Sequence, residues 1–104
     1  MNNTRSMNHV GQLVIPHPAA TDPHATEITR IWLSGDQQYV AVRAHTWPDP
    51  AAWGLMLVDL AKHVANAYAE EKGVASASIL SRIKEGLDAE WSSPTDTPTG
   101  AMLE

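Results

Sequence analysis

Asp59, His63, Asn66 and Glu70 are the residues whose types and spacing come nearest to chemistry in this chain. Steps of four, three and four place them on one side of a helix. A carboxylate one turn before an imidazole can accept from one ring nitrogen and leave the other free as a base or ligand. An imidazole oriented in this way is the working part of many general-base and metal sites. A plainer reading competes with it. An amphipathic helix needs a polar side, and one histidine with one carboxylate has no nucleophile or third ligand at a productive spacing. Asp59, His63 and Asn66 are therefore the candidate polar site, with no catalytic residue assigned.

The other histidines, His9, His17, His24 and His45, are scattered, and their spacing matches no recurring zinc pattern. Cysteine is absent, which removes thiolate ligands, disulfides and a Cys nucleophile. No phosphate-loop, dinucleotide, HExxH or GxSxG motif occurs. We read no metal and no cofactor. Twelve acidic residues against seven basic ones give a net charge of −5, which disfavours binding to a phosphate backbone. No apolar run reaches the roughly 18 residues that span a bilayer. The first residues lack the apolar core of a signal peptide, so the expected location is the cytoplasm.

The elements that must position these residues can be read from patterning. Residues 1–24 are rich in proline and polar residues and read as a flexible leader, in which only Leu13-Val14-Ile15 has strand character. Residues 25–91 read as a single domain, and 92–104 as a tail without packed structure, whose final Leu103-Glu104 is also compatible with an expression vector. Residues 27–44 predict a β-hairpin turning at Ser34-Gly35-Asp36-Gln37. Alternation puts Ile31, Leu33, Val40 and Val42 on one face, the expected core face. Ile28, Arg30, Trp32, Tyr39, Ala41 and Arg43 fall on the other.

A long helix starts at Asp49, the expected N-cap, with Pro50 at the first helical position. Trp53, Leu57, Leu60, Val64 and Ala67 or Tyr68 form its apolar stripe, widened by Leu55, Met56 and Val58. Gly54 predicts close approach of another backbone, and Gly73 predicts a left-handed cap. A second helix follows, capped by Ser76 or Ser78 and carrying Ile79, Leu80, Ile83 and Leu87, with Trp91 folding back as a closing contact.

Four tryptophans in 104 residues mark either core or interface. The second hairpin face is too apolar for a solvated surface. Ile28, Trp32, Tyr39 and Trp47 are accordingly the candidate interface. A core this small is marginal by itself, and pairing of copies is a common remedy.

Several of these segments also carry a resemblance. The run Glu27-Ile28-Thr29-Arg30-Ile31-Trp32, the start Asp49-Pro50-Ala51-Ala52-Trp53-Gly54 and the body Asp59 to His63 resemble a small, uncharacterised proteobacterial family. Leu87-Asp88-Ala89-Glu90 and Pro94-Thr95-Asp96 are similar to its C-terminal end. The resemblance implies a small α+β protein with a domain of unknown function and implies no activity.

The expected fold is thus α+β: an antiparallel hairpin packed on two helices in ββαα order, with dimerisation either joining the hairpin edges into a larger sheet or stacking their second faces. The expected function is a small non-catalytic binding or regulatory module acting through protein–protein contacts, as a homodimer and with an unidentified protein partner. The alternative is a small enzyme or ligand-binding protein using His63 oriented by Asp59.

Overall fold

A computed structural model of the chain describes residues 9–93 and 102–103. Extended residues lead into one helical turn, α1 (His17–Ala20), followed by the strands β1 (Thr29–Ser34) and β2 (Gln37–Val42). Among the described residues Leu13-Val14-Ile15 pairs with no strand.

The antiparallel register sets Ile31 opposite Val40, Trp32 opposite Tyr39 and Leu33 opposite Gln38. Opposed residues share a face, so the two predicted face sets hold. The turn is Gly35-Asp36, and only Gly35 takes a positive φ, of 61°. A two-residue hairpin turn of type II′ needs that conformation at its first central position, and glycine adopts it without a Cβ clash.

Within the segment expected to be a structureless tail, Met102–Leu103 forms a short strand, β3. It runs parallel to β2, with Val40 opposite Met102, and completes the order β1-β2-β3. Alternation gave no warning of it, because two residues are too few to show a period.

After a short 3-10 turn (Ala44–Thr46), the long helix α2 runs from Ala51 to Lys72. Asp49 works as its cap: the carboxylate accepts from the Ala51 N–H at 3.0 Å and the carbonyl accepts from Ala52 at 3.0 Å. Pro50 already has helical angles, φ −57° and ψ −20°, which its ring favours. The helix stops at Gly73, whose φ of 67° is the left-handed cap and whose N–H reaches the Ala69 carbonyl at 2.9 Å.

Helix α3 (Ser76–Ser92) begins differently from expectation. Ala75 stands at its N-cap, and the Ser78 hydroxyl donates back to the Ala75 carbonyl at 2.9 Å. A capping oxygen must accept from an orphan N–H, and neither Ser76 nor Ser78 does so. Trp91 does not fold back; it stands exposed near the end of α3.

Helices α2 and α3 pack on each other, but among the described residues neither packs against the sheet. The hairpin meets α2 through one joint. The Trp53 Nε1–H donates to the Ala44 carbonyl at 3.2 Å, and Trp47 meets Trp53 edge to face with centroids 5.3 Å apart. The ββαα order is as expected, while cover for the hairpin's apolar face is not supplied by the helices. Ile31 and Leu33, expected in the core, are exposed. Ala65 is the one buried apolar residue among those described. The Cα radius of gyration is 16.2 Å; a compact chain of this length has about 13 Å. The described residues form an open pair of substructures, and among them Gly54 meets no other backbone, having nothing within 4 Å of its Cβ position.

Candidate functional site

Helix α2 brings Asp59, His63, Asn66 and Glu70 to one side, as the spacing predicts. All four are exposed. No hydrogen bond joins Asp59 to His63, and His63 lines neither of two hollows found on the surface of the described residues. An imidazole in this setting has neither an orienting acceptor nor a wall to exclude water, the two things that would make it a directed base.

The residues proposed for an interface are more occupied than the sequence suggests. Trp32 is half-buried and meets His9 edge to face, with ring centroids 5.0 Å apart. The leader is held there by its own turn: Gly11 N–H donates to His9 Nδ1 at 2.9 Å, and Gln12 N–H donates to the His9 carbonyl at 2.9 Å. Trp47 is half-buried on Trp53, and Ile28 is half-buried beside the hairpin. Tyr39 alone of the four remains on the exposed side.

The open end of the hairpin carries a feature that residue types alone did not single out. Glu27, Ile28, Thr29, Arg30, Ala41, Val42 and Arg43 surround an open hollow of about 280 Å³. Arg30 donates to Glu27 Oε2 from Nε at 3.3 Å and from Nη2 at 3.0 Å. Arg43 donates through Nε to the Glu27 carbonyl at 3.2 Å, and the Thr29 hydroxyl donates to the Ala41 carbonyl at 3.0 Å. Both guanidinium groups are thus tethered by Glu27, and the hollow presents polar donors over an apolar floor. The available signal was the spacing Glu27-x-x-Arg30 with Arg43 across the strand pair. Such a hollow suits a docked polar side chain better than a reaction, because water reaches all of it.

The opposite hairpin face and α2 are dominated by uncovered hydrocarbon. Leu33 is 79% exposed, Leu55 71%, and Ile31 and Leu57 both 54%. Among the described residues no cluster of three His, Asp or Glu gathers where it could hold a metal ion. No helix among them is long and apolar enough to cross a membrane.

These features define a small α+β chain whose notable surfaces are open faces. Residues 12–95 match the family described as a domain of unknown function (DUF5076), and the chain belongs to that family. Among solved structures it is similar to one described as "a putative pyruvate dehydrogenase from the photosynthetic bacterium Rhodopseudomonas palustrus CGA009". The identity is 34%, the TM-score is 0.69, and the match covers 89% of this chain and 95% of that one. No curated protein matches.

Proposed function

We propose that this protein is a cytoplasmic, non-catalytic binding or regulatory module that acts through protein–protein contacts and works as a homodimer. The observation that carries the reading is the exposure of most of its large apolar side chains, on the hairpin and along α2. Exposed large apolar side chains in this number support a protein contact surface. The net charge of −5 argues against nucleic acid as the partner.

The competing enzymatic reading needs His63 in a closed pocket with Asp59 orienting it. His63 is exposed, outside both hollows and without a bond to Asp59, which favours the binding module. The similar structure's description raises pyruvate decarboxylation as an activity. Such chemistry would need thiamine diphosphate, whose ylid would add to the keto carbon and whose thiazolium ring would take up the electron pair released with CO2. The described residues do not fit such a cofactor: both hollows are open and surface-lying, and no acidic cluster is present for its cation. We assign no step of that chemistry to this chain.

Affinity capture of the tagged chain from its native cell tests the proposal. We expect a stoichiometric protein partner that is lost with Leu33→Asp and kept with His63→Ala. Turnover of pyruvate by the purified chain with thiamine diphosphate and Mg²⁺, abolished by His63→Ala, would overturn it.

A further inference from the structure

Helix α2 has three faces, and each has a different fate. Ala61, Ala65 and Ala69 recur at steps of four; Ala65 is 1% exposed and the other two are half-buried. Helix α3, the one element packed on α2 among the described residues, covers this small-residue face. Its half-buried Ser76, Ile79, Leu80 and Ile83, spaced three, one and three residues apart, form the opposing surface. The second face is the exposed polar stripe of Asp59, His63, Asn66 and Glu70.

The third face holds Trp53, Leu57, Leu60, Val64 and Ala67, at alternating steps of four and three. That is a repeat of 3.5 residues, the period that keeps a seam turned toward another helix along its whole length. Tyr68 borders it. Trp47 and the Ala44 carbonyl occupy its Trp53 end, but among the described residues the rest of the seam is open: Leu57 is 54% exposed, Leu60 40%, Val64 38% and Tyr68 47%.

We infer that the α2 seam is the interface with a second copy of this chain, packed antiparallel across a two-fold axis near Leu60 and Val64. The inference deepens the homodimer reading above and rests on it. Three observations select this occupant. First, the segments 1–8 and 94–101 contain only Met1 and Met7 as large apolar residues, so neither can tile the seam. Second, a 3.5-residue repeat is self-complementary: an identical helix, reversed by a two-fold axis, offers knobs for the same holes. Opposed helix dipoles favour the reversed direction.

Third, the open face is long. Helix α2 has 22 residues and is therefore about 33 Å long, and the seam from Trp53 to Ala67 runs along about 21 Å of it, long enough for a second helix to lie against. With α3 on each α2, the product is a four-helix arrangement whose centre is the pair of seams. The hairpins are left outside, free to take another protein.

Single cysteines test this directly, because the native chain has none. Leu57→Cys, Leu60→Cys, Val64→Cys and Asn66→Cys are made in the full chain and oxidised. Sedimentation equilibrium on the unmodified chain is run alongside. We expect a dimeric mass, a disulfide-linked dimer from Leu60→Cys or Val64→Cys, and none from Asn66→Cys on the polar stripe. The double variant Leu60→Glu/Val64→Glu is expected to weaken self-association at least about 100-fold. A folded monomer at high concentration would overturn the inference and the homodimer together. A dimer in which no seam cysteine crosslinks, or in which Asn66→Cys crosslinks as well as they do, would overturn the seam alone and leave pairing through the hairpins standing.

Discussion

Trp53 is where the two halves of the molecule are fastened. Its indole N–H donates to the Ala44 carbonyl, and its ring takes the edge of Trp47. Replacing it with Phe keeps most of the ring and removes the donor, leaving the half-buried Ala44 carbonyl without that bond. The expected cost is about 1 kcal/mol, read as a lower urea midpoint with an unchanged slope. Gly54 beside it makes the opposite case. A glycine inside a helix gives up about 1 kcal/mol relative to alanine, and its Cβ position is open. Gly54→Ala is therefore expected to raise the urea midpoint. A fall, accompanied by loss of the oligomer, would show that the backbone of another copy passes close to it.

At the scale of elements, the two ends of α2 make separate predictions. Asp49→Ala removes the carboxylate that accepts from Ala51 and should cost about 1 kcal/mol, while Asp49→Asn should restore most of it. Thermal melts of the two variants, followed by circular dichroism, separate these outcomes. On α3, the Asp88 carboxylate bonded to Lys84 Nζ at 2.7 Å holds that lysine above its ordinary pKa, through the hydrogen bond first and charge second. A raised cation contributes fully below the ordinary lysine range and loses its contribution as pH rises through the raised value. Both side chains are exposed, so the pair adds little, and what it adds should stay constant between pH 6 and 9.

The same scale shows what patterning can convey. The hairpin's alternation, its glycine turn, and the cap and stop of α2 were legible because each depends on neighbours within a few residues. The start of α3 was not, because whether a serine accepts or donates depends on its rotamer. The polar stripe was legible as a stripe. Its lack of a bond between Asp59 and His63 was not, since spacing fixes the face and leaves the side-chain geometry open. The destination of the apolar faces was legible least of all. Periodicity says which residues want cover and cannot say which molecule provides it, so Leu33 and Leu57 read as core and stand exposed.

For the whole molecule, one buried apolar residue among those described cannot balance the conformational entropy of ordering the chain. Folding and association should then be one equilibrium, and stability should depend on protein concentration. Raising the concentration from about 2 to 200 µM adds roughly 2.7 kcal/mol of mass-action stabilisation to a dimer, worth on the order of 5–10 °C in the midpoint. Scanning calorimetry at the two concentrations measures it. His63→Ala, on the polar stripe, should keep the full concentration shift, whereas Leu60→Glu should remove it and lower the midpoint at both concentrations. A midpoint independent of concentration in the native chain would mean that the open faces are tolerated by a lone monomer, and the exposed hydrocarbon of α2 would then have to be explained by a partner met only after folding.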